Sequence, residues 1–247
     1  MVPEPGAAGT TTVTEPGAAD TTAVMEPGTL VAMSWQELAD LPFAAALRPH
    51  SGGLKLRGDY DCAHFDQAVF DGADAASSRF LECAFTRVSF QGGGLRGSRL
   101  TDVWLRDVRL TGTSLAETSW TDASIVASAV AGVEAFGAQF RRVTFQGCKL
   151  DSVNFRDAVL TEVIFDDCLL RDVDFTGAAL TAVAFPRSRL AKTTFARMTL
   201  DRVDLRGAEL GIITDTVSLR GATVTADQLA SIATLLADSM GIIVTDS

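Results

Sequence analysis

The sequence predicts an all-β fold in which the chain winds as a square coil and turns a corner every five residues. The first observation is a bulky apolar residue at every fifth position from Tyr60 to Leu210, where 29 of 31 positions follow the pattern and only Ala75 and Ala135 depart from it. The second is a small residue two positions before almost every one of these centres, from Ala63 onward. The third is that twelve of the fourteen Phe residues fall on centres. These observations mark one continuous repeat region.

A period of five fits neither regular element, because side chains repeat about every 3.6 residues in a helix and every 2 residues in a strand. The chain must therefore bend once per repeat, with a large and a small side chain inward and the other three outward. Four bends close a coil of 20 residues, and neighbouring coils would pair through backbone hydrogen bonds about 4.8 Å apart. The 20-residue step then stacks like on like, as in Val143, Val163, Val183 and Val203. An inserted residue would turn every later side chain out of the core, so the register is strongly specified.

The segments AVLTE, CLLRD, VDFTG and AELGI resemble the A(D/N)LXX pattern of the pentapeptide-repeat family. The resemblance covers residues 60–210 without an insertion. It implies a right-handed quadrilateral β-helix of about 7.75 coils, roughly 37 Å long at the usual strand spacing. We therefore expect the β-helix to occupy residues 60–224.

Two segments are predicted before the repeats. Residues 1–33 contain an eleven-residue repeat rich in Pro, Gly, Ala and Thr, which is typical of a disordered tail, a docking segment being the alternative. Residues 34–59 are expected to form an N-terminal cap, because Ser34 and Glu37 make a capping box before a short helix that ends near Pro42. Three residues of that helix would cover the open first coil: Trp35, Leu38 and Leu41.

The C-terminal region, residues 225–247, is predicted to close the other end. The repeat register slips by one residue between Leu210 and Leu219. Thr225 and Gln228 then form a capping box, and a helix with one apolar face follows until Gly241. That face is made of Leu229, Ile232, Ala233, Leu236 and Met240. We expect a short strand after the helix, made of Ile242, Ile243 and Val244.

Composition excludes several classes of protein. No stretch approaches the roughly 18 to 20 apolar residues of a membrane span, and the first residues lack the features of a signal peptide, so we expect a cytoplasmic protein. The formal net charge is −10, with most of the excess near the ends and 20 acidic against 17 basic side chains over residues 60–210. A chain with no surplus of Lys and Arg is a poor general binder of nucleic acid.

The residues that usually carry catalysis form no recognisable site, so we expect a non-enzymatic protein without a cofactor or metal. The only histidines are His50, in a loop, and His64, at an outward position. Three cysteines occupy small inward positions, where a thiol fills the core and stays reduced: Cys83, Cys148 and Cys168. The run Gly92, Gly93 and Gly94 falls on corners of the repeat, and no helix follows it to hold a phosphate.

Charge on the outward positions is arranged in bands. The first and sixth coils are acidic, whereas residues 187–206 hold six basic and two acidic side chains. Such bands either solvate the surface or steer a charged partner. The predicted contact residues are Asp66, Asp71, Asp74, Asp166, Asp167, Asp172 and Asp174. Five outward apolar residues are weaker candidates for partner anchors: Trp104, Phe136, Val159, Ile164 and Leu169.

The resemblance also implies a function. In the fluoroquinolone-resistance branch of the family, an acidic rod imitates a DNA duplex, binds DNA gyrase or topoisomerase IV, and protects it from poisons. A C-terminal helix makes the homodimer in that branch, which implies a dimer interface at Leu229, Ile232, Leu236 and Met240; a monomer cap is the alternative. The near-neutral repeat region and the basic seventh coil depart from a uniformly acidic rod. A structural scaffold for another protein and a small-molecule-sequestering immunity protein remain the other two functional hypotheses.

Overall fold

The computed structural model describes residues 37–214 and 218–245. The predicted tail, together with Ser34 and Trp35 of the predicted cap, lies outside the described residues. Over the part that is described, no helix is long and apolar enough to span a bilayer.

The predicted solenoid is confirmed: short parallel strands stack in successive coils, and one α-helix follows them. The strands are β1 (Arg48–Pro49), β2 (Asp59–Asp61), β3 (Ala63–Asp66), β4 (Val69–Asp71), β5 (Arg79–Leu81), β6 (Ala84–Thr86), β7 (Ser89–Gln91), β8 (Arg99–Thr101), β9 (Trp104–Arg106), β10 (Arg109–Thr111) and β11 (Ser119–Val126). They continue with β12 (Ala129–Ala131), β13 (Gln139–Gln146), β14 (Lys149–Asp151), β15 (Val159–Asp166), β16 (Leu169–Arg171), β17 (Ala179–Thr181), β18 (Arg189–Phe195), β19 (Thr199–Asp201), β20 (Val203–Asp204), β21 (Glu209–Thr214) and β22 (Ala222–Thr223). The helix is α1 (Ala226–Ser239).

The coil has four faces, which we number by the centres of the first coil: Tyr60, Phe65, Phe70 and Ala75. Each face recurs every 20 residues, as the pairing of Leu150 with its partners one coil before and after illustrates. The first and second faces belong to one twelve-stranded sheet and the third to an eight-stranded sheet. Isolated parallel bridges hold the fourth face. The 20-residue register predicted from the sequence is therefore the observed one.

The corners between faces use a left-handed backbone conformation at the second residue after a centre. Among the described residues, twenty-two that are not glycine have a positive φ, including Asp102 at 52° and Asp122 at 54°. This conformation normally costs a non-glycine residue roughly 1 to 2 kcal/mol. A hydrogen bond to the next coil helps to offset that cost, as when the Asp102 amide donates to the Thr121 carbonyl at 3.0 Å. The corner side chains consequently point outward at a fixed pitch.

The core consists of stacked rings and aliphatic side chains. The Phe165 ring lies 4.8 Å from Phe145 and 5.0 Å from Phe185, with planes within 9° of parallel. The two alanine centres share their coils with large aromatic residues, since Ala75 follows three consecutive aromatic centres and Ala135 lies in the coil of Trp120. A small apolar cavity of about 20 Å³ remains beside Ala135. The side-chain volume is thus balanced within each coil.

The N-terminal cap differs from the prediction. Instead of one helix over the open end, residues 37–47 contain two short 3₁₀ turns, Leu38–Asp40 and Ala44–Ala46, and lie along the side of the solenoid. We call residues 37–47 the strap. Leu41 packs against Ala84 and Trp104 on the second face, and Glu37 forms an ion pair with Arg106. The strap therefore covers the flank of the second and third coils.

The open first coil is covered by the segment that follows the strap. β1 adds to the twelve-stranded sheet by pairing with β3. The His50 ring lies 5.4 Å from Tyr60 and 4.8 Å from Phe65, and Leu54 packs against the same core. Exposed strand edges invite pairing with other chains, so this segment protects the first coil.

The C-terminal end confirms the predicted slip and helix. The register shifts by one residue between Ala191 and Thr193 of β18, where β21 has one residue fewer. Thr225 and Gln228 form the capping box, and the Gln228 side chain also donates 2.7 Å hydrogen bonds to the carbonyls of Leu205 and Ala208. These two bonds fix α1 on the last coil.

The helix ends in a Schellman motif, in which the Ile242 amide donates to Ala237 and the Gly241 amide to Asp238. Gly241 has a φ of 74°, in agreement with its predicted role as the stop. The strand predicted over Ile242, Ile243 and Val244 is wrong: these residues are irregular and exposed. A run of β-branched residues forms a strand only beside a partner strand, and no described strand lies against this one.

Candidate functional site

The predicted acidic residues of the first coil lie on three different faces. Asp66 follows a centre on the second face and pairs with Arg87 at 2.7 Å. Asp71 is exposed on the third face. Asp74 is exposed on the fourth face, and its carboxylate accepts the Ala76 amide at 3.0 Å. These three side chains therefore point in different directions and form no single patch.

The sixth coil contains the strongest exposed pair of predicted residues. Asp167 and Asp172 are exposed at neighbouring corners, with φ of 52° and 51°, and neither forms an ion pair with another described residue. Asp174 accepts the Thr176 amide at 2.8 Å and lies 3.8 Å from Arg156. The sixth coil thus offers two free carboxylates at the corners on either side of the third face.

The prediction that the acidic side chains of this coil are all accessible is wrong for Asp166. Its side chain is only 2% exposed. The carboxylate accepts hydrogen bonds from Arg187 of the next coil and, at 3.5 Å, from Gln146 of the preceding one. Because a buried carboxylate needs such partners, Asp166 contributes to the structure of the second face and offers no contact surface.

The basic segment of residues 187–206 is largely neutralised by acidic residues nearby. Four of its arginines pair with carboxylates of the same or an adjacent coil: Arg187 with Asp166, Arg189 with Glu209, Arg202 with Asp201 and Arg206 with Asp204. The Lys192 ammonium forms no ion pair with a described residue. The predicted bands are therefore partly an internal pairing pattern, and each pair on the exposed surface contributes little stability.

The outward apolar residues have different environments. Trp104, a predicted anchor, is buried in the cluster with the strap and is unavailable to a partner. Phe136 and Val159 are each 45% exposed, whereas Ile164 and Leu169 are half-buried. Isolated exposed apolar residues are ordinary on protein surfaces.

The residues predicted at a dimer interface divide into two groups. Leu229 and Met240 are 50% and 66% exposed, and Leu236 is half-buried. Ile232 is 4% exposed because this side of α1 faces the rest of the chain, so it is not available to a second copy. The exposed residues after the helix, among them Ile243, extend the apolar surface of this end.

The histidines and cysteines have structural environments. His50 packs in the cap, and its Nε2 has no hydrogen-bond partner among the described residues. His64 shares a 3.0 Å hydrogen bond with the Thr86 hydroxyl. All four cysteines are free, and burial raises the pKa of the Cys83 thiol to about 11, which makes it a poor nucleophile at neutral pH.

A column of carboxylates that the sequence reasoning missed lies at the corner between the first and second faces. Glu82, Asp102 and Asp122 occupy this corner in three successive coils, beside the strap. Arg142 follows in the next coil and donates two hydrogen bonds to Asp122, at 2.5 and 2.6 Å. We call Glu82, Asp102 and Asp122 the corner column. Reading the corner positions at 20-residue intervals would have found it, whereas charge totals for whole coils hide it.

Asp102 is the carboxylate of the corner column with the least compensation. No hydrogen bond or ion pair joins it to another residue in the described ranges. Burial raises the pKa of Asp102, and the charges of Asp122 and Glu82 raise it further. By contrast, the Arg142 hydrogen bonds lower the pKa of Asp122. At neutral pH, the ionised Asp102 carboxylate therefore lowers the free energy of unfolding, whereas the ionised Asp122 carboxylate raises it.

We expect Asp102→Asn to stabilise the protein at neutral pH by less than about 1 kcal/mol, because the side chain is largely solvated. A carboxyl whose pKa is raised on folding opposes folding when ionised, so this gain should shrink as the pH falls from the raised pKa toward the ordinary value of 3.8. Asp122→Asn is the control and should destabilise at neutral pH, with the loss disappearing as the pH falls through its lowered pKa. Urea denaturation at several pH values measures both, and the same pH trend in the two variants would contradict the assignment.

Comparisons with known proteins agree with the repeat. A family model for a pentapeptide repeat region matches residues 129–195, and one for pentapeptide repeats in eight copies matches residues 63–102. A comparison with curated proteins finds no match.

Three solved structures illustrate the similarity. QnrB1, a plasmid-mediated fluoroquinolone resistance protein, is 18% identical, with coverage of 76% of this chain and 100% of that chain and a TM-score of 0.39. Rfr23 from Cyanothece 51142 is 13% identical, covering 51% of this chain and 91% of its own, with a TM-score of 0.35. HetL from Nostoc sp. strain PCC 7120, involved in heterocyst differentiation regulation, is 18% identical, covering 74% and 94%, with a TM-score of 0.24.

Proposed function

Because the chain belongs to the pentapeptide-repeat family, we propose that it is a non-enzymatic cytoplasmic protein that binds another protein through the outer surface of its solenoid. The candidate partner is DNA gyrase or topoisomerase IV, which the chain would modulate or protect against poisons. The observation that carries the proposal is the division between a filled apolar core and outward side chains held at a fixed pitch.

The distribution of functional groups supports binding as the function. Centres on every face are buried, and the internal cavity beside Ala135 measures only about 20 Å³. Substrate pockets are typically about 300 Å³ or more, so the inside of the solenoid has no room for one. Recognition must then occur on the outside, where rigid corners hold charged groups without further ordering.

Asp167 and Asp172 are the predicted contact residues best placed for such recognition. Both are exposed, and both carboxylates lack an ion-pair partner among the described residues. They flank the third face of the sixth coil, so one partner surface with basic groups can contact both. Charges of this kind mainly raise the association rate and are screened by salt.

We expect the purified protein to inhibit gyrase supercoiling or to prevent quinolone-stabilised DNA cleavage at micromolar concentration. The double variant Asp167→Asn with Asp172→Asn should weaken this effect several-fold, since two charge contacts are lost while the backbone keeps its conformation. The matched control is Asp107→Asn with Asp157→Asn, two exposed corner residues that share a φ of 54°. Asp107 lies on the corner of Asp167 but three coils earlier, and Asp157 lies on a different corner, so neither flanks the third face of the sixth coil. A supercoiling assay over a protein titration measures the difference.

Two outcomes would contradict this proposal. If the protein neither inhibits nor protects gyrase and topoisomerase IV, these enzymes are not its partners. If both double variants weaken the effect equally, the contact depends on net charge and not on the sixth coil. A scaffold for a different protein is then the function to test, by affinity capture with the same two variants.

We also propose that the C-terminal end forms a homodimer. The support is an exposed apolar surface at this end, with Leu229 at 50%, Met240 at 66% and Ile243 at 86% exposure. Leu229→Glu with Met240→Glu should convert a dimer into a monomer in sedimentation velocity, because two charges would be buried between the copies. Val69→Glu, at an equally exposed apolar position on the first coil, is the control. A wild-type monomer at high concentration would contradict the proposal.

A further inference from the structure

A groove lies between the strap and the corner column. Its volume is about 400 Å³. One wall is formed by Leu41, Pro42 and Phe43 of the strap, and the opposite rim by the carboxylates of the corner column. One side of the groove is therefore apolar and the other is negatively charged, and two segments distant in sequence build it.

The charge in the groove is only partly compensated. Arg142 neutralises Asp122 at one end, whereas Glu82 accepts only a weak 3.4 Å hydrogen bond from the Cys62 thiol. Between them, the Asp102 carboxylate has no hydrogen bond or ion pair with any residue in 37–214 or 218–245. Burial is the main cause of the raised pKa of Asp102, and repulsion by the charges of Asp122 and Glu82 raises this pKa further. A positive group placed here would relieve that repulsion.

The chain itself contains an example of the group that fits. The Arg142 guanidinium lies one coil beyond Asp122 and binds both of its carboxylate oxygens. One coil is about 4.8 Å, a spacing over which a planar guanidinium can reach from one carboxylate to the next. Asp102 and Glu82 repeat the carboxylate half of this arrangement without an arginine, and they face the open groove.

We propose that the groove binds an arginine side chain of a partner protein, with the guanidinium on the carboxylates of Asp102 and Glu82 and the aliphatic stem against the strap. This site lies on a different corner from Asp167 and Asp172, and the inference goes beyond the proposed function because it does not require the partner to be a topoisomerase.

The dimensions and chemistry of the groove favour arginine over other cations. A volume of about 400 Å³ is far larger than one metal ion needs and is within the range of sites for organic groups. The apolar strap wall suits a side chain that carries a long aliphatic stem beneath its charge. Two carboxylates in successive coils suit a planar, multiply donating head better than the compact ammonium of lysine.

The test uses the full chain and a short probe peptide. The probe is acetyl-Gly-Ala-Arg-Ala-Gly-amide, and its control replaces Arg with citrulline, which keeps the shape and removes the charge. Both are titrated at low salt into the wild type, Asp102→Asn and Asp157→Asn, with binding followed by NMR chemical shifts. Asp157 is the matched control, because it is an exposed aspartate on another corner with a similar φ of 54°, and no ion pair joins it to a described residue.

We expect the arginine peptide to bind wild type and Asp157→Asn equally, and to bind Asp102→Asn about tenfold more weakly, because a charge-assisted hydrogen bond is lost. The citrulline peptide should not bind. Equal binding of the two peptides, or equal affinity for Asp102→Asn and wild type, would overturn the proposal.

Zn²⁺ alone is added in a separate titration, since Asp61, Cys62 and Glu82 lie close together at this end. Zn²⁺ binding that requires Asp102, with no peptide binding, would assign the groove to a metal ion and also overturn it.

Discussion

Phe165→Ala should lower the free energy of unfolding by about 3 to 5 kcal/mol, because it removes a fully buried ring from a well-packed core. Phe165 stacks on Phe145 and Phe185, so its loss leaves a cavity that spans the contacts with two neighbouring coils. The solenoid backbone is held by hydrogen bonds above and below, which limits its ability to collapse into the cavity. Chemical denaturation followed by circular dichroism measures the change.

Phe136→Ala is the matched control for this variant. Phe136 follows the centre Ala135 on the fourth face and is 45% exposed, so its loss should change stability by less than about 1 kcal/mol. Comparable losses for the two variants would mean that the rings at the centres do not form the core. The whole assignment of inward and outward positions would then be wrong.

Gly93→Ala is expected to have the second largest effect, about 2 to 4 kcal/mol of lost stability. A Cβ at this position would lie 2.2 Å from the Ala73 carbonyl oxygen, which is backbone and cannot move aside without breaking the register. Gly93 also has a φ of 63°. Thermal denaturation compares this variant with the wild type.

The adjacent Gly92→Ala separates the two causes. Gly92 has a similar φ of 64°, but no atom lies within 4 Å of the added Cβ. Its substitution should cost only about 1 kcal/mol, because many non-glycine residues already adopt this conformation at the corners. If both variants are equally unstable, backbone conformation and not the contact with Ala73 determines the need for glycine.

The core could be predicted from the sequence because every five-residue repeat has the same pattern of one large and one small inward residue. An error at one centre is corrected by the thirty others, so the exceptions at Ala75 and Ala135 did not disturb the register. The helix α1 was also predictable, since its capping box and terminal glycine act within a few residues. Local signals that agree with the fold at every level are the most reliable ones.

The features that were missed depend on contacts between distant parts of the chain. Trp104 occupies an outward position and its burial depends on Leu41, more than sixty residues away. Asp166 also occupies an outward position and is buried beside Arg187. The periodic pattern assigns a direction to each side chain but does not reveal what covers it. The groove was missed for the same reason. One of its walls is the strap, which lies outside the repeat, so the repeat pattern does not predict it.

The shared conformation of the corners has a further consequence. Arginine, aspartate, glutamate, serine, alanine and glycine all adopt it at equivalent positions, so the backbone there is nearly indifferent to the side chain it carries. Neighbouring coils contact one another and little else. The outward side chains of one corner can therefore change during evolution without altering the core. The solenoid is well suited to display grafted recognition groups at chosen intervals along its axis.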